Sequence, residues 1–150
     1  MNAAFEALKA ASPNGRGIDI LIHNAGYFPS LAPIGDANAN AAEYWSTFET
    51  NVHGSYITTR AFLSNLRPKD TAASHEPTLI ALSTAGVCFF PPPPGFSAYA
   101  TSMVAKARFF ECVAAENADV RVHNVHPGAV DTEMGKKAAD QGMKLPLDDG

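Results

Sequence analysis

Cysteine is scarce in this chain: two in 150 residues, Cys88 and Cys112. Two thiols so placed make neither a disulfide framework nor a Cys-x-x-Cys metal pair. Both fall in apolar stretches, so the expectation is buried free thiols in a reducing compartment. Charge is sparse too, at 17 % of residues, with 11 Lys/Arg against 15 Asp/Glu and a net charge of −4. The densest basic spot is the isolated pair Lys136-Lys137, which argues against a nucleic-acid partner. No apolar run nears the ~20 residues that a membrane span needs. The opening Met1-Asn2-Ala3-Ala4-Phe5-Glu6 has neither the basic region nor the apolar stretch of a secretory signal. A cytoplasmic protein with no membrane partner is expected.

What the chain does have is the apolar fraction of a globular protein, 46 %. A chain of this size forms one domain and buries roughly 70 % of its unfolded surface. Helical character runs over Ala3 to Ala11, with Phe5, Leu8 and Ala11 on one face, and stops at Ser12-Pro13-Asn14-Gly15. Ile18 to Ile22 is an apolar strand, and Gly26 to Ala39 is a long loop. A helix starts at Asn40, where Asn40 and Glu43 have capping-box spacing, and runs to about Leu66. Asn51 and Gly54 are poor helix formers and predict a kink there. Arg67-Pro68-Lys69-Asp70 ends it, and Thr71 to Pro77 is loop. Thr78 to Leu82 is the second strand, Phe89 to Gly95 a proline-stiffened loop, Ser97 to Glu116 a second long helix, and Val120 to Val125 the third strand. A short helix is expected around Glu133 to Asp140.

Helices alternating with strands predict a parallel sheet, by right-handed crossovers, with helices on both faces. Three short motifs then fall together. Asn24-Ala25-Gly26 follows the first strand, Ser83-Thr84-Ala85-Gly86 the second, and Pro127-Gly128 the third. Open α/β sheets bind ligands at the carboxyl ends of their strands, so all three motifs lie on one functional edge. Tyr99 opens a helix soon after Ser83.

Asn24-Ala25-Gly26, Asn51 in the next helix, Ser83 at a strand end, Tyr99 at a helix start, and Pro127-Gly128-Ala129-Val130-Asp131-Thr132 occur in this order. The chain in this respect resembles the short-chain dehydrogenases/reductases, from about residue 3 to residue 135. The resemblance implies an α/β fold: an incomplete, Rossmann-type doubly wound parallel sheet of about three strands with flanking helices, residues 1–150 being one partial NAD(P)-binding domain. It implies hydride transfer between NAD or NADP and a small carbonyl or alcohol substrate. Tyr99 would exchange a proton with the substrate oxygen, Ser83 would hydrogen-bond that oxygen, and Asn51, through a free carbonyl at the kink, would anchor a water. Asn24, Ala25 and Gly26 would pack on the adenosine side, and Pro127, Gly128 and Thr132 would line the nicotinamide. No metal is implied: His123 and His126 lack a third converging ligand. His23 stands where the family usually has asparagine. Helices 40–66 and 97–116 would form a homo-oligomer interface, with Ala100, Ala105 and Ala107 permitting close approach.

Two features depart from the family. Its Tyr-x-x-x-Lys pattern reads here Tyr99-Ala100-Thr101-Ser102-Met103, so methionine occupies the lysine position. A cation there lowers a tyrosine's pKa by roughly 1–3 units, so its loss would slow proton transfer about ten- to a thousand-fold. Lys106 lies two turns from Tyr99 and is expected to be a solvated surface lysine, while Met103 packs. The other departure is that no Gly-x-x-x-Gly-x-Gly turn, which cradles pyrophosphate at a helix N-terminus, occurs in these residues. The expectation is a central portion of the fold, weakened or inactive, whose first strand has an exposed edge. The alternative is a non-enzymatic remnant that binds a partner. A serine hydrolase is disfavoured, because Gly95-Phe96-Ser97-Ala98-Tyr99 puts tyrosine where a nucleophile elbow needs glycine. Phe89, Phe90 and Phe96 could wall an apolar substrate pocket, although buried phenylalanine more often fills a core.

Overall fold

A computed structural model describes residues 2–12, 17–67, 76–88 and 90–143. Helix α1 (Asn2–Ala11) leads to strand β1 (Ile20–His23). Helix α2 (Ala41–Phe48) passes through a π-helical turn (Glu49–His53) into α3 (Gly54–Leu63). Then follow β2 (Thr78–Leu82), a 3-10 turn (Ala85–Cys88), α4 (Ser97–Glu116), β3 (Arg121–Val125) and α5 (Glu133–Asp140). The three strands are parallel in the order β1-β2-β3, with Leu21 opposite Leu79 and Leu79 opposite Val122. The expected turn at 13–16, the loop at 68–75, Phe89 and residues 144–150 lie outside the described residues.

Helices on both faces were expected, but α1, α3 and α4 all pack on the same face of the sheet. The core there joins Phe5 of α1, Ala61 and Phe62 of α3, Phe110 of α4, and Leu79 and Ala81 of β2. The cause is topological. Successive strands are laid down in one direction, and right-handed crossovers in one direction all fall on one side. Among the described residues the other face stays open, with Ile20 57 % and Ile22 61 % exposed. Phe62, Phe110 and Leu79 are fully buried, and each contributes roughly 1.5–3 kcal/mol of apolar burial. Of the predicted stripe on α1 only Phe5 is buried; Leu8 faces solvent, because α1 touches the core along a single line of contact with α3.

The kink foreseen at Asn51 and Gly54 is the π-helical turn, where the Gly54 N–H bonds back to the Glu49 carbonyl, five residues earlier. Asn40 caps α2 by accepting from the Glu43 N–H (3.1 Å). The reciprocal half of the capping box is missing, because the Glu43 carboxylate turns away to Tyr27 and Ser30. Both cysteines, expected to be buried, are exposed: Cys88 ends a surface turn, and Cys112 is on the solvent side of α4. Phe96 fills a core with Phe28, Ala100 and Ala138, whereas Phe90 is 97 % exposed.

One glycine is required by a close approach. Gly17 lies against the Ile18–Leu66 bridge, and a Cβ there would fall 2.4 Å from the Leu66 carbonyl group. Because the obstacle is backbone, Gly17→Ala is expected to lower stability by about 1–3 kcal/mol, read as a drop in the thermal midpoint.

Candidate active site

Asn24, Ser83 and Pro127 each lie one or two residues past the carboxyl end of a strand, whereas Asn51 stands in the π-helical turn and Tyr99 in α4. The Ser83 N–H donates to the Val125 carbonyl (2.8 Å), extending the β2–β3 ladder by one residue and setting the two strand ends side by side. The Thr84 hydroxyl then accepts from the Gly86 N–H (3.1 Å), which opens the 3-10 turn. The Tyr99 ring stands against Phe28 (4.9 Å between centroids) and Phe96 (5.3 Å). Burial pushes its pKa above the usual phenol value, an effect that the neighbouring Thr84 hydroxyl opposes only in part.

Asn51 is fully buried and joins three elements. Its Oδ1 accepts from the Tyr27 N–H (2.7 Å), and its Nδ2 donates to the Tyr27 carbonyl (3.0 Å) and to Ser102 Oγ (3.0 Å). Ser102 Oγ in turn donates to the Tyr99 carbonyl (2.8 Å). The backbone of Tyr99 and the loop after β1 are thus tied through one amide. The free carbonyl expected at Asn51 is not found: it accepts from the Ser55 hydroxyl at 2.6 Å. A serine four residues along a helix reaches back to such a carbonyl readily.

Asn24, Ala25 and Gly26 are exposed. A Cβ on Gly26 would meet only ordinary contacts, Asn51 Oδ1 at 3.7 Å and Met134 Cε at 3.9 Å. Nothing within the described residues demands glycine there. Pro127 is exposed, and Gly128 has φ +84°, the left-handed turn that brings the chain off β3. Thr132 caps α5, its hydroxyl accepting from the Gly135 N–H (3.1 Å). Helix α5 folds back over the loop after β1. Lys137 Nζ donates to the Phe28 carbonyl (2.8 Å), and Gln141 Oε1 accepts from the Leu31 N–H (2.5 Å). Glu43 anchors the same loop through the Tyr27 hydroxyl and the Ser30 N–H, both 2.9 Å, and these bonds hold its carboxyl below the usual range.

Met103 is buried, as expected for packing. Lys106 is a correction: it is only 2 % exposed, and its Nζ donates to the Ala25 carbonyl at 3.2 Å. Burial brings its pKa down to about 8. Seven residues make nearly two helical turns, so Lys106 shares the face of α4 that carries Tyr99. That face packs inward, which spacing alone did not reveal. Beside it His23 is buried edge-on to Phe110 (5.5 Å), and neither ring nitrogen makes a hydrogen bond of normal geometry. Burial first, then the Lys106 cation, push the His23 pKa down to about 4. Among the described residues no three of His, Cys, Asp and Glu gather as a metal site, and His123 and His126 are exposed. No described helix is long and apolar enough to cross a membrane.

Thr84 and Ser102 were not foreseen beside Tyr99, and Lys106, on the same helix face, was expected in solvent. Positions three and seven after Tyr99 fall near its helix face, which places Ser102 and Lys106 beside it but does not say that this face is buried. Thr84 carried no signal beyond its adjacency to Ser83.

The family model for short chain dehydrogenases matches residues 1–142. Among curated proteins, the short chain dehydrogenase mpl6 of Monascus purpureus is 35 % identical over 119 residues, covering 78 % of this chain and 38 % of that protein. A cyclopentanol dehydrogenase of Comamonas testosteroni is 30 % identical over 125 residues, covering 82 % of this chain and 46 % of its own length. The chain thus spans less than half the length of these relatives. A solved short-chain dehydrogenase of Streptomyces avermitilis superposes with TM-score 0.65 at 27 % identity, over 89 % of this chain and 46 % of the other. A Burkholderia cenocepacia short chain dehydrogenase, solved with NADP, shares the fold with TM-score 0.72 at 23 % identity, over 89 % of this chain and 49 % of its own. This chain belongs to the short-chain dehydrogenase family.

Proposed function

We propose that this chain carries the substrate edge of an NAD(P)-dependent oxidoreductase acting on a small carbonyl or alcohol, as one partial NAD(P)-binding domain working in the cytoplasm. The observation that carries this is Tyr99, whose ring is set against Phe28 and Phe96 and whose backbone is tied through Ser102 and Asn51 to the loop after β1. The residues fit a nucleotide at this edge: Asn24 to Gly26 are exposed, and Gly26 presents bare backbone to an incoming ligand. Asn24, Ala25 and Gly26 would hold its adenosine side, and Pro127, Gly128 and Thr132 its nicotinamide side. A bound nicotinamide cofactor supplies or takes up the hydride.

Tyr99 remains a phenol at neutral pH, because burial raises its pKa and Met103 brings no cation. It is therefore set to donate: in carbonyl reduction the phenol O–H bond breaks, and its proton goes to the oxygen that becomes the alcohol. Ser83 and Thr84 hydroxyls steady that oxygen, and Asn51 fixes Tyr99 through Ser102. Tyr99→Phe is expected to lower kcat for ketone reduction about a hundredfold while leaving nucleotide affinity unchanged. Equal turnover by Tyr99→Phe would remove the assignment.

The buried Met103 also favours a second reading, a non-enzymatic fragment that binds a partner. Titration with NADH and with NADPH separates the two, since binding of neither leaves only the fragment. A homo-oligomer through helices 40–66 and 97–116 is consistent with Trp45 at 62 %, Tyr56 at 48 % and Val104 at 48 % exposure. Ala100, expected at that interface, instead packs within the chain beside Phe28 and Phe96.

A further inference from the structure

We infer that Lys106 is a positioning residue that clamps the loop after β1 from below, setting Asn24–Gly26 for a nucleotide. The inference rests on the proposed cofactor edge. Two helices grip this loop at adjacent points. From α4, the Lys106 ammonium donates to the Ala25 carbonyl at 3.2 Å. From the π-helical turn, Asn51 takes both the N–H and the carbonyl of Tyr27, at 2.7 and 3.0 Å. Between these points Gly26 has no side chain of its own to pack, so its orientation depends on the two grips. Ala25 is exposed while the ammonium beneath it is buried, so the lysine holds the loop without standing in the ligand's path.

Burial of a lysine is unfavourable without compensation, and a single carbonyl is a modest partner for an ammonium with three donors. A methionine would fill the same volume without that penalty, as Met103 does one turn earlier. What the charge adds is a directional, charge-assisted bond to one chosen carbonyl. Its neighbour His23 is uncharged at neutral pH and makes no competing hydrogen bond. The ammonium is still charged near neutrality, since its pKa stands at about 8. Preset backbone geometry is what a cofactor edge needs, because a misplacement of ~1 Å is enough to weaken a fitted contact.

Amide hydrogen exchange on the full chain, without nucleotide, tests the clamp directly. In Lys106→Met, protection of the Tyr27 amide is expected to fall about tenfold, with the β2 amides of Leu79 and Ala81 unchanged; Lys106→Arg is expected to keep the Tyr27 protection. Unchanged Tyr27 protection in Lys106→Met, or an equal loss at Tyr27 and in β2, overturns the clamp. Should Lys106→Met not fold, Lys106→Arg decides: selective loss at Tyr27 despite its retained cation overturns the clamp, and retained protection supports it. In parallel, NADH and NADPH affinity is expected to weaken about tenfold in Lys106→Met and to recover in Lys106→Arg. If the unsubstituted chain binds neither nucleotide, the proposed oxidoreductase function fails, while the exchange result still judges the clamp.

Discussion

Phe110→Ala is expected to lower the unfolding free energy by about 3–5 kcal/mol, the range for removing a fully buried phenylalanine. Phe110 is 0 % exposed and belongs to the main core with Phe62 and Leu79, and it stands edge-on to both His23 (5.5 Å) and Phe109 (5.1 Å). The surrounding atoms belong to two helices and the sheet, which cannot all close on the void, so the cavity penalty adds to the lost transfer energy. A typical domain has only about 5–15 kcal/mol in total. Urea unfolding followed by far-ultraviolet circular dichroism measures the loss. Phe90→Ala, at a side chain 97 % exposed, is the control and is expected to shift stability by less than about 0.5 kcal/mol. Equal midpoints for the two variants would mean that the helical face is not the stabilising core.

Stability is expected to rise with pH in two steps separated by a plateau. His23 has a folded pKa of about 4, against 6.5 for the free group. Between those values the unfolded chain binds the extra proton, so stability is complete above pH 6.5 and is lost as pH falls through 4. The loss is on the order of 2–3 kcal/mol after allowance for residual solvation. Lys106 has a folded pKa of about 8 against 10.5. Its unfolded form likewise holds the proton longer, so stability climbs again from pH 8 to 10.5 by a similar amount. His23→Phe is expected to flatten the acid step and leave the alkaline one. Lys106→Met should remove the alkaline step and shrink the acid one, because the Lys106 cation is the second cause of the His23 shift. Carboxylates also titrate near pH 4, so the informative quantity is the difference between His23→Phe and the unsubstituted chain. A difference of zero between pH 7 and pH 4.5 would show His23 to be solvated.

Much of the architecture was legible from residue pattern. The strands Thr78–Leu82 and Arg121–Val125, the helix Ser97–Glu116 and the small helix Glu133–Asp140 lie at or within one residue of the expected bounds. Each is bounded by a marked start or stop in the sequence. The kink near Asn51 was legible because two poor helix formers stand three residues apart; that it takes the form of a π-helical turn was not. Exposure was harder to read. Cys88 and Cys112 sit in apolar sequence yet face solvent, and Lys106 carries a charge yet is buried. Local hydrophobicity says which residues favour an interior but not which side of an element meets one.

The order of Asn24-Ala25-Gly26, Ser83, Tyr99 and Pro127-Gly128 along the chain was enough to fix their common edge, because strand ends in a parallel sheet all point the same way. The same pattern of elements carried the family. Only the packed structure decided that the Tyr99 ring stands against Phe28 and Phe96, that Asn51 and Ser102 join two elements through one amide, and that Lys106 turns inward to Ala25. These contacts depend on how α3 and α4 sit against the sheet, and ångström-scale differences in that packing change hydrogen-bond partners without altering the hydrophobic pattern.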